Sequence, residues 1–228
     1  MIAKKDFALF TVSGEPDAIA IADPVGVALF VITPLDDAAK RSLPDYRRYH
    51  GAIVGDLGNA QCHGAIRVSA GTEALTTDHA DSLRTDVHLY SAFPAHQTTS
   101  YGGLTQIRVP SMYGLGNALD DLISMVETGV ADTDPADLRA VLCDRAEIHG
   151  KYVAVSSDHF KKGEAILPGM GKNKSISIAN LRLPNLNNSV VKIERLREQL
   201  PRHGLSPLSL VNASESRDFS TRIGIFLW

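Results

Sequence analysis

The longest uninterrupted apolar stretch, Val25 to Ile32, is eight residues long. A membrane-spanning helix needs about 20 such residues, so this run reads as a buried strand. Asp23-Pro24 precedes it, and proline removes a ladder donor, so the break from Ala18–Ala22 has a physical cause. Similar short runs recur along the chain. Phe7–Val12, Ala52–Val54, Gly64–Val68, Val87–Tyr90, Leu104–Val109, Tyr152–Val155, Ser175–Ile178, Leu205–Val211 and Arg222–Phe226 each have strand length and strand composition.

Helical spacing is confined to fewer segments. Leu119, Leu122, Ile123 and Val126 fall at i, i+3, i+4 and i+7, which predicts a helix over Asn117–Thr128 stopped by Gly129. Asp134-Pro135 opens a second helix, with aspartate as N-cap and proline at the first helical position. Its stripe is Leu138, Val141 and Leu142, and the short link between the two suggests an antiparallel pair. Ser189–Leu200 predicts a third helix, with Ile193, Leu196 and Leu200 inward and Pro201 as its stop. Leu35–Arg41 and Thr72–Leu83 are weaker helical segments. Strands come in groups and do not alternate strictly with helices. The expected fold is therefore α+β, with a mixed or mainly antiparallel sheet and three to four helices.

With 228 residues, 44% hydrophobic and 21% charged, the chain can bury a full core without covalent staples. Residues 1–228 read as one globular unit, with a possible sub-division into an acidic part, 1–150, and a basic part, 151–228. The first part carries 11 Lys and Arg against 20 Asp and Glu, a net −9. The second carries 12 against 6, a net +6. Such asymmetry can mark a polyanion-binding face. Cys62 and Cys143 form no CxxC, which argues against a disulfide framework or a cysteine-based zinc site. Lys4 and Lys5 precede an apolar stretch too short for a secretion signal. The expected compartment is the cytoplasm, with no membrane partner.

Two glycine-rich segments resemble phosphate loops without completing one. Gly114-Leu115-Gly116 matches the first two glycines of a dinucleotide fingerprint, but Leu119 stands at the third; the segment reads as a strand-to-helix turn. In Pro168–Ser175, Gly171-Lys172 is followed by Asn173 where a P-loop has a hydroxyl, and Ile166 takes the first glycine position. What remains is a basic loop with Lys161, Lys162, Lys172 and Lys174. Asp86 and His88 share a strand face, a spacing a metal can use, but no HxH or HExxH supports it. No metal and no cofactor is expected.

The predicted helix from Ser189 aligns Lys192, Arg195, Gln199 and Arg202 along one flank, with Glu194 and Glu198 on another. His50 sits among Arg47, Arg48, Tyr46 and Tyr49, a mixture that can hold phosphates, stack bases or supply a general base. Glu194–Arg197, Arg202–Leu205, Ser214-Glu215-Ser216 and the ending Phe226-Leu227-Trp228 loosely resemble the C-terminal part of CRISPR repeat-processing endoribonucleases. That family has an arginine-bearing helix followed by serine-containing strands, so the resemblance implies RNA.

Together these features lead to the expectation of a non-catalytic nucleic-acid-binding subunit, RNA favoured, in a nucleoprotein assembly with other protein subunits. Its phosphate contacts would come from Lys161, Lys162, Lys172, Lys174, Lys192, Arg195 and Arg202. One alternative is a metal-independent RNA-processing endoribonuclease with His50 or His203 as general base. The other is a structural self-assembling protein, in which the acidic part of one copy meets the basic part of the next.

Overall fold

The structure is a computed structural model that describes residues 8–15, 17–23, 25–43, 55–76, 83–91, 104–127, 130–131, 133–143, 149–156, 176–199, 205–216 and 221–228. Among the described residues eleven strands form one mixed sheet. They are β1 (Ala8–Val12), β2 (Ile19–Ala22), β3 (Ala28–Pro34), β4 (Gly55–Leu57), β5 (Ile66–Gly71), β6 (Val87–Tyr90), β7 (Thr105–Arg108), β8 (His149–Ser156), β9 (Ile176–Leu183), β10 (Leu205–Glu215) and β11 (Arg222–Leu227). Four α-helices join them among the described residues: α1 (Asp37–Ser42), α2 (Met112–Glu127), α3 (Pro135–Cys143) and α4 (Ser189–Gln199), with a 3-10 turn at Asn59–Cys62. This is the expected α+β class with a mixed sheet.

The sheet order is β10-β9-β11-β8-β7-β6-β5-β3-β2-β1-β4. Six pairings are parallel and four antiparallel. Following the pairings from edge to edge, nine strands run in one direction and only β2 and β11 run against them. The sheet continues unbroken across the position where the chain changes charge sign.

Side chains alternate between the two faces of a strand, and each face is covered differently. On one face Ile21, Phe30, Ile32, Ile66, Val68, Val87, Leu89, Ile107, Tyr152, Ile178 and Phe226 form a core with residues of α1, α2 and α3. On the other, Ile193 and Leu196 of α4 pack on Leu181, Val211, Ile223 and Ile225. A smaller cluster around Val12, Ala20, Val31 and Cys62 covers the opposite end of that face.

The helix over 117–128 starts earlier than its apolar spacing predicts. Ser111 is its cap, accepting from the Gly114 N–H at 3.1 Å, so Gly114 and Gly116 lie inside the first turns of α2 and not in a turn. Each interior glycine costs about 1 kcal/mol against alanine. Close approach explains the choice: a Cβ on Gly116 would lie 2.5 Å from the Ser42 carbonyl oxygen at the end of α1. The capping of α3 is as expected, with the Ala136 N–H donating to Asp134 Oδ1 at 2.7 Å. Residues 72–76 of the predicted helix Thr72–Leu83 are not helical, because hydrogen bonds hold the segment to neighbouring elements. Thr72 N–H donates to Asp36 Oδ2 at 2.7 Å and Leu75 N–H to Gln106 Oε1 at 3.0 Å. The predicted strand at Ala52–Val54 lies outside the described residues; the short β4 begins immediately after it.

Candidate nucleic-acid interface and the buried polar clusters

α4 lies over the second face because its inward positions are apolar and its outward ones charged. Ile193 and Leu196 are buried, while Lys192, Glu194, Arg195, Arg197 and Glu198 are exposed. At 100° per residue, Lys192 and Arg195 lie 60° apart on one flank. Glu198 lies 60° from Arg195 on its other side, and Glu194 lies 100° from Arg195 and 160° from Lys192. None of these five side chains forms an ion pair among the described residues. The two cations are exposed on neighbouring positions of one helix flank, without an ion pair among the described residues. Lys161, Lys162, Lys172, Lys174 and Arg202 lie outside the described residues, as do His50 and His203.

A larger concentration of polar groups lies on the opposite face, beneath α2. β9 presents Asn180 and Arg182 to this face, β10 presents Asn212 and Ser214, and β11 presents Arg222. α2 crosses above them with Asp120, Asp121 and Ser124. Arg182 Nη2 donates to Asp120 Oδ2 at 2.9 Å, and Arg222 Nη2 to Asp121 Oδ1 at 3.1 Å. Tyr152 O–H donates to Asp121 Oδ2 at 2.6 Å. Arg182 Nη1 donates to Ser214 Oγ at 3.1 Å. Asn180 Nδ2 lies within bonding distance of the Asp121 carbonyl, Ser124 Oγ and Ser214 Oγ. Asn212 Nδ2 reaches the Met125 carbonyl and Thr133 Oγ1. Two carboxylates thus face two guanidiniums, and the cluster is neutral within itself.

Burial pushes the Asp121 carboxyl up, against the downward pull of Arg222 and Arg182. Burial and the Asp121 charge beside it raise the Tyr152 phenol well above its ordinary range. Burial opposes the Arg222 charge, yet Asp121, Tyr152 and Asp120 together hold its pKa above the usual arginine value. Gly224 makes room for this arrangement: a Cβ there would overlap Asp121 Oδ2. The cluster clamps α2 across four strands. Each carboxylate is committed to an arginine, which leaves neither poised as a general base.

A second buried group lies where Ser69 of β5 is paired with His88 of β6. His88 Nε2 is 2.8 Å from the Glu73 carbonyl oxygen, and Nδ1 is 2.9 Å from Ser69 Oγ. A carbonyl can only accept, so Nε2 carries the proton and Nδ1 accepts from the serine hydroxyl. Burial lowers the His88 pKa to about 4, so the ring is neutral. Ser69 and His88 are fully buried, which removes this Ser–His pair from any substrate. Asp86 is also committed, accepting from the Arg67 N–H and from Arg139 Nη2 at 2.9 Å each. With both side chains occupied, the Asp86–His88 spacing offers nothing to a metal. No group of three or more metal-ligating side chains occurs among the described residues.

The endoribonuclease resemblance also meets a geometric obstacle. Arg195 of α4 and Ser214 of β10 lie on opposite faces of the sheet, Arg195 exposed and Ser214 buried under α2. They do not form one site. Sequence reasoning missed the buried cluster. The strand predicted at Ser175–Ile178 ends before Asn180 and Arg182, whereas β9 runs on to Leu183. At 100° per residue Asp120, Asp121 and Ser124 fall on the flank away from Leu119, Leu122, Ile123 and Val126, so helical spacing gives no sign that this flank is covered.

A scan against protein-family models finds no match to this sequence, and a search of the curated proteins finds none either. No helix among the described residues is long and apolar enough to cross a membrane.

Proposed function

We propose that the chain is a nucleic-acid-binding, non-catalytic subunit of a nucleoprotein assembly, with RNA as its favoured ligand and the basic flank of α4 as its anchoring surface. The observation that supports this reading is the exposure of Lys192 and Arg195 side by side, without ion-pair partners among the described residues. The buried ionic cluster of the fold neutralises itself, and the buried histidine is held uncharged. The basic flank of α4 is exposed and has no ion-pair partner among the described residues. A phosphate backbone suits it, because point charges on flexible stems follow a polyanion without reading its bases.

The test is fluorescence anisotropy with labelled single-stranded RNA and duplex DNA across a salt series, comparing the wild type with Lys192→Ala/Arg195→Ala. Binding should weaken linearly on logarithmic axes. Two lost phosphate contacts should make the single-strand slope shallower by about 1.4. Equal slopes for the two proteins would remove α4 from the interface, and no binding at low salt would remove nucleic acid altogether.

A further inference from the structure

Three fully buried polar side chains adjoin near the middle of the sheet. Val68, Ala70, Val87, Leu89 and Ile107 face the core under α1, α2 and α3, so alternation turns Ser69, His88 and Gln106 to the opposite face. Ser69 pairs with His88, and His88 with Gln106. Each is 1% exposed or less. Groups of this kind are buried only where polar partners lie against them.

Those partners come from a short stretch of irregular chain. Residues 72–76, directly after β5, belong to no helix or strand. Thr72 N–H and Oγ1–H both donate to Asp36 Oδ2, at 2.7 and 3.0 Å. The Glu73 carbonyl accepts from His88 Nε2 at 2.8 Å. Leu75 N–H donates to Gln106 Oε1 at 3.0 Å, and its carbonyl accepts from Gln106 Nε2 at 3.4 Å. Leu75 is the one buried side chain of the segment, while Glu73 and Thr76 are exposed. The stretch is therefore a strap, with water on its outer side and one apolar anchor on its inner side. α2, by contrast, buries Leu115, Leu119, Leu122, Ile123 and Val126. A segment so lightly held opens locally at a lower free energy than the sheet beneath it unfolds.

One of the groups the strap covers changes charge near neutral pH. With the strap closed, His88 Nε2–H faces a carbonyl and Nδ1 a serine hydroxyl, and an imidazolium there would be cut off from water. Among the described residues, β5 offers it only the Ser69 hydroxyl, β7 the Gln106 amide, and the strap the Glu73 carbonyl, whose own carboxylate is exposed. Tyr90 of β6 stacks on the ring at 6.0 Å, with Arg108 of β7 paired beside it. Asp36, from the link between β3 and α1, favours the charged ring, but burial outweighs it. Asp36 is not itself the sensor. Against its own burial, hydrogen bonds from Ala39 and Thr72 hold its carboxyl below the ordinary aspartate range, so it is ionised throughout pH 8 to 5. Burial raises the Tyr90 phenol above its ordinary range, so it is neutral throughout the same interval.

We infer that residues 72–76 are an acid-released strap: proton uptake by His88 lifts the segment off Ser69, His88 and Gln106 while the sheet and α2 stay folded. Opening replaces the Glu73 carbonyl by water. It turns a cation, a hydroxyl and a carboxamide outward on the face that also carries α4. The closed strap disfavours the charged ring, so opening is promoted as the pH falls through the ordinary histidine range. With the ring at about 4 when closed and about 6.5 when open, the open-to-closed ratio should rise about 30-fold from pH 8 to pH 5.

The experiment is amide hydrogen exchange on the full chain, followed by NMR and corrected for intrinsic rates, between pH 8 and pH 5 for the wild type and His88→Gln. Exchange is the readout because it registers an open form that is a minority. Leu75 N–H reports the strap, and the Leu122 N–H of α2 reports the rest of the fold. Leu75 should be protected at pH 8, roughly tenfold or more below Leu122 at every pH. Its protection should fall about 30-fold by pH 5 in the wild type and stay level in His88→Gln. An unprotected Leu75 at pH 8, protection that ignores pH, protection equal to that of Leu122 throughout, or a fall that persists in His88→Gln would each overturn the inference. His88→Asn replaces His88→Gln if the latter does not fold, and the wild-type comparison of Leu75 with Leu122 decides by itself. None of these outcomes bears on RNA binding, which the anisotropy series measures separately.

Discussion

Acid should weaken this fold through His88. The folded pKa is about 4, lowered by burial, against about 6.5 in an unfolded chain. A histidine held neutral contributes its stability above the unfolded pKa. As the pH falls below 6.5 the unfolded state takes up a proton that the folded state refuses, and the contribution drains away until the folded pKa is reached. Between pH 8 and pH 5 the loss is about 2 kcal/mol. The assay is urea unfolding at a series of pH values for the wild type and His88→Gln. The substitution costs stability at every pH by disturbing the bonds to Ser69 and Glu73. The informative quantity is the change in stability across the pH range, since the other seven histidines and all carboxylates are common to both proteins and cancel. The variant should lose about 2 kcal/mol less than the wild type between pH 8 and pH 5. Parallel curves would refute the reasoning and show that His88 takes up its proton without unfolding.

Other predictions concern packing and the ionic cluster. Gly224→Ala should displace the Asp121 carboxylate and destabilise by about 3 kcal/mol, measured as a shift in the urea midpoint. Asp121→Asn should cost about 3–5 kcal/mol by leaving Arg222 buried beside a neutral partner; if Asp121→Asn/Arg222→Met recovers none of that loss, the pairing is not its source. Gly116→Ala should fail to stabilise α2 despite the better helix propensity of alanine, because the added methyl meets the Ser42 carbonyl; a gain in thermal midpoint would show that α1 yields. Asp134→Ala should cost about 1 kcal/mol through loss of the α3 cap, leaving the slope of denaturant unfolding unchanged.

Much of the element content of this chain was legible from local chemistry. Asp134-Pro135 specifies a helix start wherever it occurs, since the cap bond and the missing N–H are properties of those two residues. The spacing of Leu119, Leu122, Ile123 and Val126 specifies α2 in the same way. Ile193 and Leu196 decide which side of α4 turns inward, so helical spacing alone places Lys192 and Arg195 outward. What could not be read was how the strands order themselves and what covers each face. Period-two alternation at Asn180 and Arg182 announces a polar face but does not say whether water or a helix lies against it. Gly114 and Gly116 look like a turn until the Ser42 carbonyl is seen to press on the helix. Asp120, Asp121 and Ser124 look like a solvated flank of α2 until Arg182 and Arg222, some 60 and 100 residues onward, arrive beside Asp121. The sequence by itself determined where strands and helices form, because propensity, capping and periodicity act over a few residues. The tertiary structure alone decided which charges of the sheet and of α2 are buried, because burial depends on contacts between residues far apart in the chain.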